Sequence, residues 1–217
     1  MYLSRLILDP WSRQVTSEMG DPYQMHRTLM RAFPSTGRDG AGRVLFRLDL
    51  DRPAETPTVL VQSENQPDWS FLFGRHYLMR VRDNPAQKPY NPSVRAGQRL
   101  RFLLRANPTV RRVLETGKPG KRIGLTREKD QIEWFIRKGN SGEFTPDGFR
   151  ANARGKRLSR RQGAVNTHVC VDFEGVLVVR DPEKFLDTLT SGIGAGKAYG
   201  FGLLSIAPAR EPVTCNL

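Results

Sequence analysis

The residues best suited to chemistry in this chain lie in DPYQMHRTLMRAF, positions 21–33. His26 is one of only three histidines, and imidazole is the side chain that gives or takes a proton near neutral pH. Tyr23 precedes it by one helical turn, and Arg27 and Arg31 follow it. Asp21 as N-cap and Pro22 at the first helical position predict a helix here, with Gln24 placed to close a capping box. Met25, Leu29 and Phe33 recur every four residues with Ala32 beside them, which makes one buried stripe. His26 falls roughly 75° from the centre of that stripe, at its edge, while Tyr23 and Arg27 lie further round on the exposed side. A boundary position suits proton transfer. It suits an ordinary half-exposed helix histidine as well, and the helix alone does not choose between them.

Two further stretches point to a polyanion. GIGAGKAYGFG, 192–202, carries glycine at 192, 194, 196, 200 and 202 around Lys197. It follows a helix signal and precedes a strand signal, the reverse of a P-loop, and no Gly-Lys-Ser/Thr is present, so nucleotide hydrolysis is disfavoured. Such a loop is expected to bring bare backbone near a sugar-phosphate chain, with Gly192, Gly194, Gly200 and Gly202 framing Lys197. GKRLSRRQG, 155–163, packs Lys156, Arg157, Arg160 and Arg161 into a basic patch that reads either as a solvated loop or as a phosphate contact. Arg99, Arg101 and Arg105 are weaker candidates on a predicted strand. No carboxylate pair, Cys-His dyad or Ser-His-Asp order stands out. Cleavage of a nucleic acid by this chain would then run most naturally without a metal, with an RNA 2′-hydroxyl as internal nucleophile and positive charge around the phosphorane.

The bulk composition agrees. The 217 residues hold 35 Lys and Arg against 22 Asp and Glu, a net charge of +13, and the isoelectric point is near 10.4. Arginine suits phosphate and base-edge recognition, so nucleic acid is the leading partner class. No apolar run approaches the roughly 18 residues that span a bilayer, and no membrane partner is expected. Cys170 and Cys215 lie far apart, which disfavours a disulfide and fits a reducing cytoplasm. No metal-ligand spacing is present, and no cofactor is implied.

The order of elements predicts an α+β chain of two tandem ferredoxin-like (βαββαβ, RRM-like) domains with antiparallel sheets. In the first, 1–84, strands are expected at YLSRLIL, VLFRLDL (44–50), PTVLVQS (57–63) and HYLMRV (76–81), with the 21–33 helix and a short helix at 67–73. VLFRLDL should turn Val44, Phe46, Leu48 and Leu50 to one face. Residues 85–97 read as a Pro-rich linker. In the second, 98–217, strands are expected at 99–105, 142–150, 167–179 and 200–208, with helices at 126–138 (Thr126 capping; Ile132, Phe135 and Ile136 buried) and 181–192. Gly175 marks a bulge or bend, and 150–163 a loop or hairpin. RNP-type aromatic signatures are absent. A non-catalytic structured-RNA-binding protein would share this charge and fold. A DNA-binding module is disfavoured for want of a recognition helix.

YLSRLIL at the start, PYQMHRTLMRAFP, RLRFLLRANP, FEGVL at 173–177 and GIGAGKAYGFGLLSIAP together resemble the CasE family, the CRISPR repeat-RNA endoribonucleases of the type I-E Cascade system. The resemblance runs in order from the first residues to about Pro208. Its last piece matches the wider repeat-nuclease pattern Gly-apolar-Gly, five residues, Gly-apolar-Gly. It implies two ferredoxin-like domains and metal-independent cleavage of precursor CRISPR RNA at the base of the repeat stem-loop. The ends would be a 5′-hydroxyl and a 2′,3′-cyclic phosphate or 3′-phosphate. It puts the family's helix histidine on His26 and its tyrosine on Tyr23, for proton transfer and positioning of the scissile phosphate. Arg27, Arg31 and Lys197 fall at positions that tend to be basic, and the 156–161 patch is expected to contact the hairpin. A monomer that keeps its product hairpin and joins the other Cascade subunits is implied.

Overall fold

The computed structural model describes residues 1–34, 40–50, 56–112, 120–161 and 164–209. The first half runs β1 (Tyr2–Ile7), α1 (Arg13–Gly20), α2 (Pro22–Met30), β2 (Val44–Asp49), β3 (Thr58–Ser63), a 3-10 turn at Ser70–Leu72, and β4 (Ala86–Pro89). The four strands form one antiparallel sheet in the order β2-β3-β1-β4. Leu6, Met25, Leu29, Val59, Val61 and Trp69 pack into its core. Met25 and Leu29 are 1% and 0% exposed, and burial of each is worth roughly 1.5–3 kcal/mol. Asp21 caps α2 as expected, its Oδ1 accepting from the Tyr23 amide at 3.2 Å. The Gln24 side chain accepts from Arg27 rather than closing a capping box.

Further expectations for this half change. Helix α1 is additional; Ser12 caps it by accepting from the Val15 amide. Its Glu18, 5% exposed, accepts from Thr28 at 2.6 Å, Gln14 at 2.7 Å and the Tyr77 hydroxyl at 2.7 Å. That knot fixes α1 against α2, and burial together with the Glu18 charge raises the Tyr77 pKa. HYLMRV is not a strand. Only Leu78 bridges, to Leu8, flanked by backbone bonds from the Asp9 amide to the Tyr77 carbonyl and from the Met79 amide to the Ile7 carbonyl, and the Asn84 side chain donates to the Ile7 and Met79 carbonyls and accepts from the Ile7 amide. The fourth strand is β4, which lies inside the Pro-rich 85–97 stretch and pairs with β1.

The second half runs β5 (Arg99–Ala106), β6 (Thr109–Arg112), β7 (Lys121–Gly124), α3 (Glu128–Ser141), β8 (Phe144–Arg161), β9 (Ala164–Val179), α4 (Pro182–Ser191), a 3-10 turn at Lys197–Tyr199 and β10 (Leu204–Pro208). Its sheet order is β10-β5-β9-β8, the mirror listing of the first sheet, so both halves share the ferredoxin-like pattern. Phe135, Phe144, Phe173 and Phe185 pack ring against ring through its core. Of the loop and hairpin expected at 150–163, the hairpin is observed: up to Arg161 the stretch continues β8, and with β9 it forms a long two-stranded arm. A register shift between Pro146 and Phe149 lies opposite Gly175, whose Cβ would strike the Gly148 carbonyl. Helix α3 is entered through Arg127 without a side-chain cap, not through Thr126. Its buried face is Gln131, Trp134 and Phe135, while Ile136 is exposed. The β6–β7 hairpin is a further addition, and β10 is shorter than expected.

The halves meet along β2. The Arg105 guanidinium, 2% exposed, holds Asp172 with two bonds of 2.7 and 2.8 Å and also donates to the Leu48 carbonyl. Of the three strand arginines weighed as polyanion contacts, Arg99 and Arg101 are exposed but Arg105 is not. It is buried because Asp172 and β2 supply acceptors for a charge that water would otherwise solvate. Arg47 donates to Ser205 at 2.7 Å and Gln62 to the Leu189 carbonyl at 2.8 Å. Leu45, opposite in alternation to Phe46, is fully buried for the same reason, whereas Leu50 is exposed.

Candidate functional site

Helix α2 presents His26 half-buried at the rim of its apolar stripe, where the 100° rotation puts it. Phe46 of β2 lies beneath it, rings 12° from parallel and 6.2 Å between centroids. Tyr23 is one turn away, 6.3 Å from His26, and it is half-buried rather than exposed because Tyr199 covers it at 5.9 Å. Tyr199 comes from the other half, on the 3-10 turn at the centre of the glycine-rich loop. Two elements from different halves thus converge on one patch.

The glycines of that loop have structural work to do. Gly200 has φ +79°, and a Cβ there would meet the Phe46 ring at 3.2 Å; Gly202 has φ +92°, and its Cβ would meet the Ile193 carbonyl at 2.9 Å. Both conformations disfavour any side chain. Gly192 and Gly194 are likewise packed, against Leu45 and Trp134. The loop is therefore glycine-rich so that it can fold tightly and press on β2, a reason that needs no ligand. Lys197 on this loop is half-buried, and its pKa is lowered by burial and then by the neighbouring charges of Arg43 and Lys138.

Arg27 is exposed one residue past His26, and Arg31 at the end of α2 lies over the Phe71 ring, 4.7 Å from its centroid. On the β8 arm Lys156 and Arg160 are exposed, and the Arg160 amide approaches the Asp21 carboxylate at 3.4 Å, so the turn end of the arm lies beside the N-terminus of α2. Arg157 is half-buried and burial lowers its pKa. The Arg161 side chain lies outside the described residues, as does Cys215; Cys170 is a buried free thiol.

Sequence reasoning did not single out Phe46, Tyr199 or His168. Tyr199 stood in the quoted loop, and an aromatic beside a lysine in a glycine frame was the available signal. His168 of β9 stacks on Tyr199 at 4.3 Å and is 8% exposed. Its Nδ1 faces the Asn107 amide nitrogen at 3.3 Å and its Nε2 faces Ser159 Oγ at 2.9 Å. Asn107 Oδ1 already accepts from the Val169 amide, so Asn107 donates to Nδ1, and the ring is neutral with its proton on Nε2. Burial lowers the His168 pKa from 6.5. The unfolded chain takes up this proton first, so stability falls as pH drops below 6.5. The thermal midpoint should therefore fall more steeply from neutral to mildly acid pH in the natural chain than in a His168→Gln variant. Equal slopes would contradict the assignment.

A CRISPR-associated protein family model matches residues 1–208. The CRISPR-associated endoribonuclease Cse3 of Thermus thermophilus is 39% identical over 220 residues, covering 96% of this chain and all of that protein. The Cascade subunit CasE of Escherichia coli is 32% identical with the same coverage. Among solved structures, Cse3 bound to a 19-nucleotide RNA superposes with TM-score 0.83 at 38% identity, covering 96% of this chain and all of that one. Cas6e from Escherichia coli does so with TM-score 0.69 at 28% identity, with the same coverage. With two ferredoxin-like halves, a histidine helix facing a glycine-rich loop, and these similarities along nearly its whole length, the chain belongs to the CRISPR-associated Cse3/CasE family.

Proposed function

We propose that this chain is a metal-independent endoribonuclease that cuts precursor CRISPR RNA at the base of the repeat stem-loop and remains on the product hairpin as a Cascade subunit. The observation that carries the reading is the convergence of His26 and Tyr23 on α2 with Tyr199 of the glycine-rich loop from the opposite half. The names of the relatives, an endoribonuclease and a Cascade subunit, support it.

In this reading the scissile phosphate lies between α2 and the glycine-rich loop. The ribose 2′-oxygen loses its proton and bonds to phosphorus. The bond from phosphorus to the 5′-oxygen breaks, and that oxygen gains a proton. The products are a 2′,3′-cyclic phosphate, which water can open to a 3′-phosphate, and a 5′-hydroxyl. His26 transfers a proton, Tyr23 positions the phosphate, and Lys197 and Arg27 offset the charge of the phosphorane. Arg31 adds charge at the far end of α2. Lys156, Arg157, Arg160 and Arg161 on the arm hold the hairpin, a placement supported by the Arg160 contact beside α2. The chain would act as a cytoplasmic monomer before assembly.

A 2′-deoxy sugar 5′ of the scissile phosphate should stop cleavage, while EDTA should leave the rate unchanged. Cleavage of the deoxy substrate, or a metal requirement, would overturn this route. A chain that binds the repeat but never cuts it would be a structured-RNA-binding protein instead.

A further inference from the structure

Behind Tyr199, on the side away from Tyr23, lies a cleft of about 260 Å³. Its walls come from the β6–β7 hairpin (Thr109, Arg122), β9 (Asn166, Thr167, His168) and the glycine-rich loop (Gly196, Tyr199), with Asn107 at its base. The proposed reaction uses none of its polar groups. We infer that this cleft receives one unpaired nucleobase of the RNA strand, next to the scissile phosphate. The inference rests on the reading above for the course of the strand.

Three features favour a base. The cleft shares Tyr199 with the candidate site, so a strand whose phosphate lies at Tyr23 and Lys197 brings its neighbouring nucleotide to the cleft mouth. Its size suits one base and excludes a duplex. Its lining is mostly neutral and offers both donors and acceptors: the Asn166 amide and the Thr109 and Thr167 hydroxyls have no protein hydrogen bond among the described residues. Single-stranded RNA is recognised through such edge-reading amides and hydroxyls beside aromatic rings. The floor is rigid in advance, since Asn107 is fixed by His168 and the Val169 amide, and His168 by Ser159. Arg122, exposed at the rim, is available to the attached phosphate. A free phosphate alone would leave the amide and hydroxyl groups unused.

The test is a double-mutant cycle read in binding, with repeat RNA carrying a 2′-deoxy sugar at the cleavage position. An abasic residue is placed in turn at each of the nucleotides flanking the scissile phosphate. Dissociation constants are measured for the natural chain, Asn166→Ala and Thr167→Val. Both side chains lie at the surface of the arm, and circular dichroism checks the fold. Asn166→Ala should weaken binding of intact RNA by about tenfold. At one abasic position the natural chain should lose a similar factor, and there the Asn166→Ala penalty should vanish. If each variant weakens every RNA equally, or no abasic position matters, the cleft is not a base site. A failure of the endoribonuclease reading would show separately, as intact all-ribose RNA left uncut by the natural chain.

Discussion

His26→Ala should lower the single-turnover cleavage rate of the repeat hairpin by about 10²–10⁴-fold, the range that a positioned acid-base group supplies. Binding of the same hairpin should be nearly intact. The separation follows from where His26 sits. The stripe of Met25 and Leu29 that anchors α2 does not include it, so truncation leaves the helix in place. The basic arm that would hold the hairpin is on a different element. Tyr23→Phe should cost less, since the ring that meets Tyr199 is kept and only the hydroxyl is lost. Undiminished cleavage by His26→Ala would remove His26 from the mechanism. Loss of binding equal to the loss of rate would make it a binding residue instead.

Arg105→Met should destabilise the chain by about 3–5 kcal/mol, measured as a shift in urea-unfolding free energy. The methionine leaves the Asp172 carboxylate and the Leu48 carbonyl without their shared donor inside the protein. Removal of one partner of a buried pair costs more than removal of both. Adding Asp172→Asn to Arg105→Met should therefore restore part of the loss, and a double variant less stable than the single one would refute the argument. Arg154, 3.2 Å from Asp172, keeps some compensation in the single variant. Because Arg105 grips β2, the single variant should also lower the cleavage rate at temperatures where the chain is still folded.

Sequence reasoning succeeded where the deciding physics is local. Asp-Pro starts both α2 and α4, and in each the aspartate caps its own helix within three residues. The four-residue stripe gave His26 its boundary position without reference to any other element. It failed where the partner is distant. HYLMRV reads as a closing strand, but beyond its one bridge Asn84 answers the adjoining backbone groups. AQKP, with little apolar character, becomes β4 because β1 has a free edge beside it. Arg105 reads as a surface residue until Asp172, 67 positions away, is placed opposite. The same holds at the site. Residue type and spacing, with the family resemblance beside them, picked out His26, Tyr23 and Lys197, but Phe46 and Tyr199 belong to the candidate site only because β2 and the glycine-rich loop touch, a contact no spacing reveals.

Strand β2 closes one end of the first sheet, with β3 on one side only. An open edge of this kind is a template on which a foreign strand can add and seed aggregation. Here the outer carbonyl of Leu48 is taken by Arg105, and the glycine-rich loop presses on Phe46. The contact that assembles the candidate site thus also shields the chain from joining itself to others. A first half made alone would carry His26 and Tyr23 correctly placed on their helix, and would be expected to fail by association before it could fail by lack of chemistry.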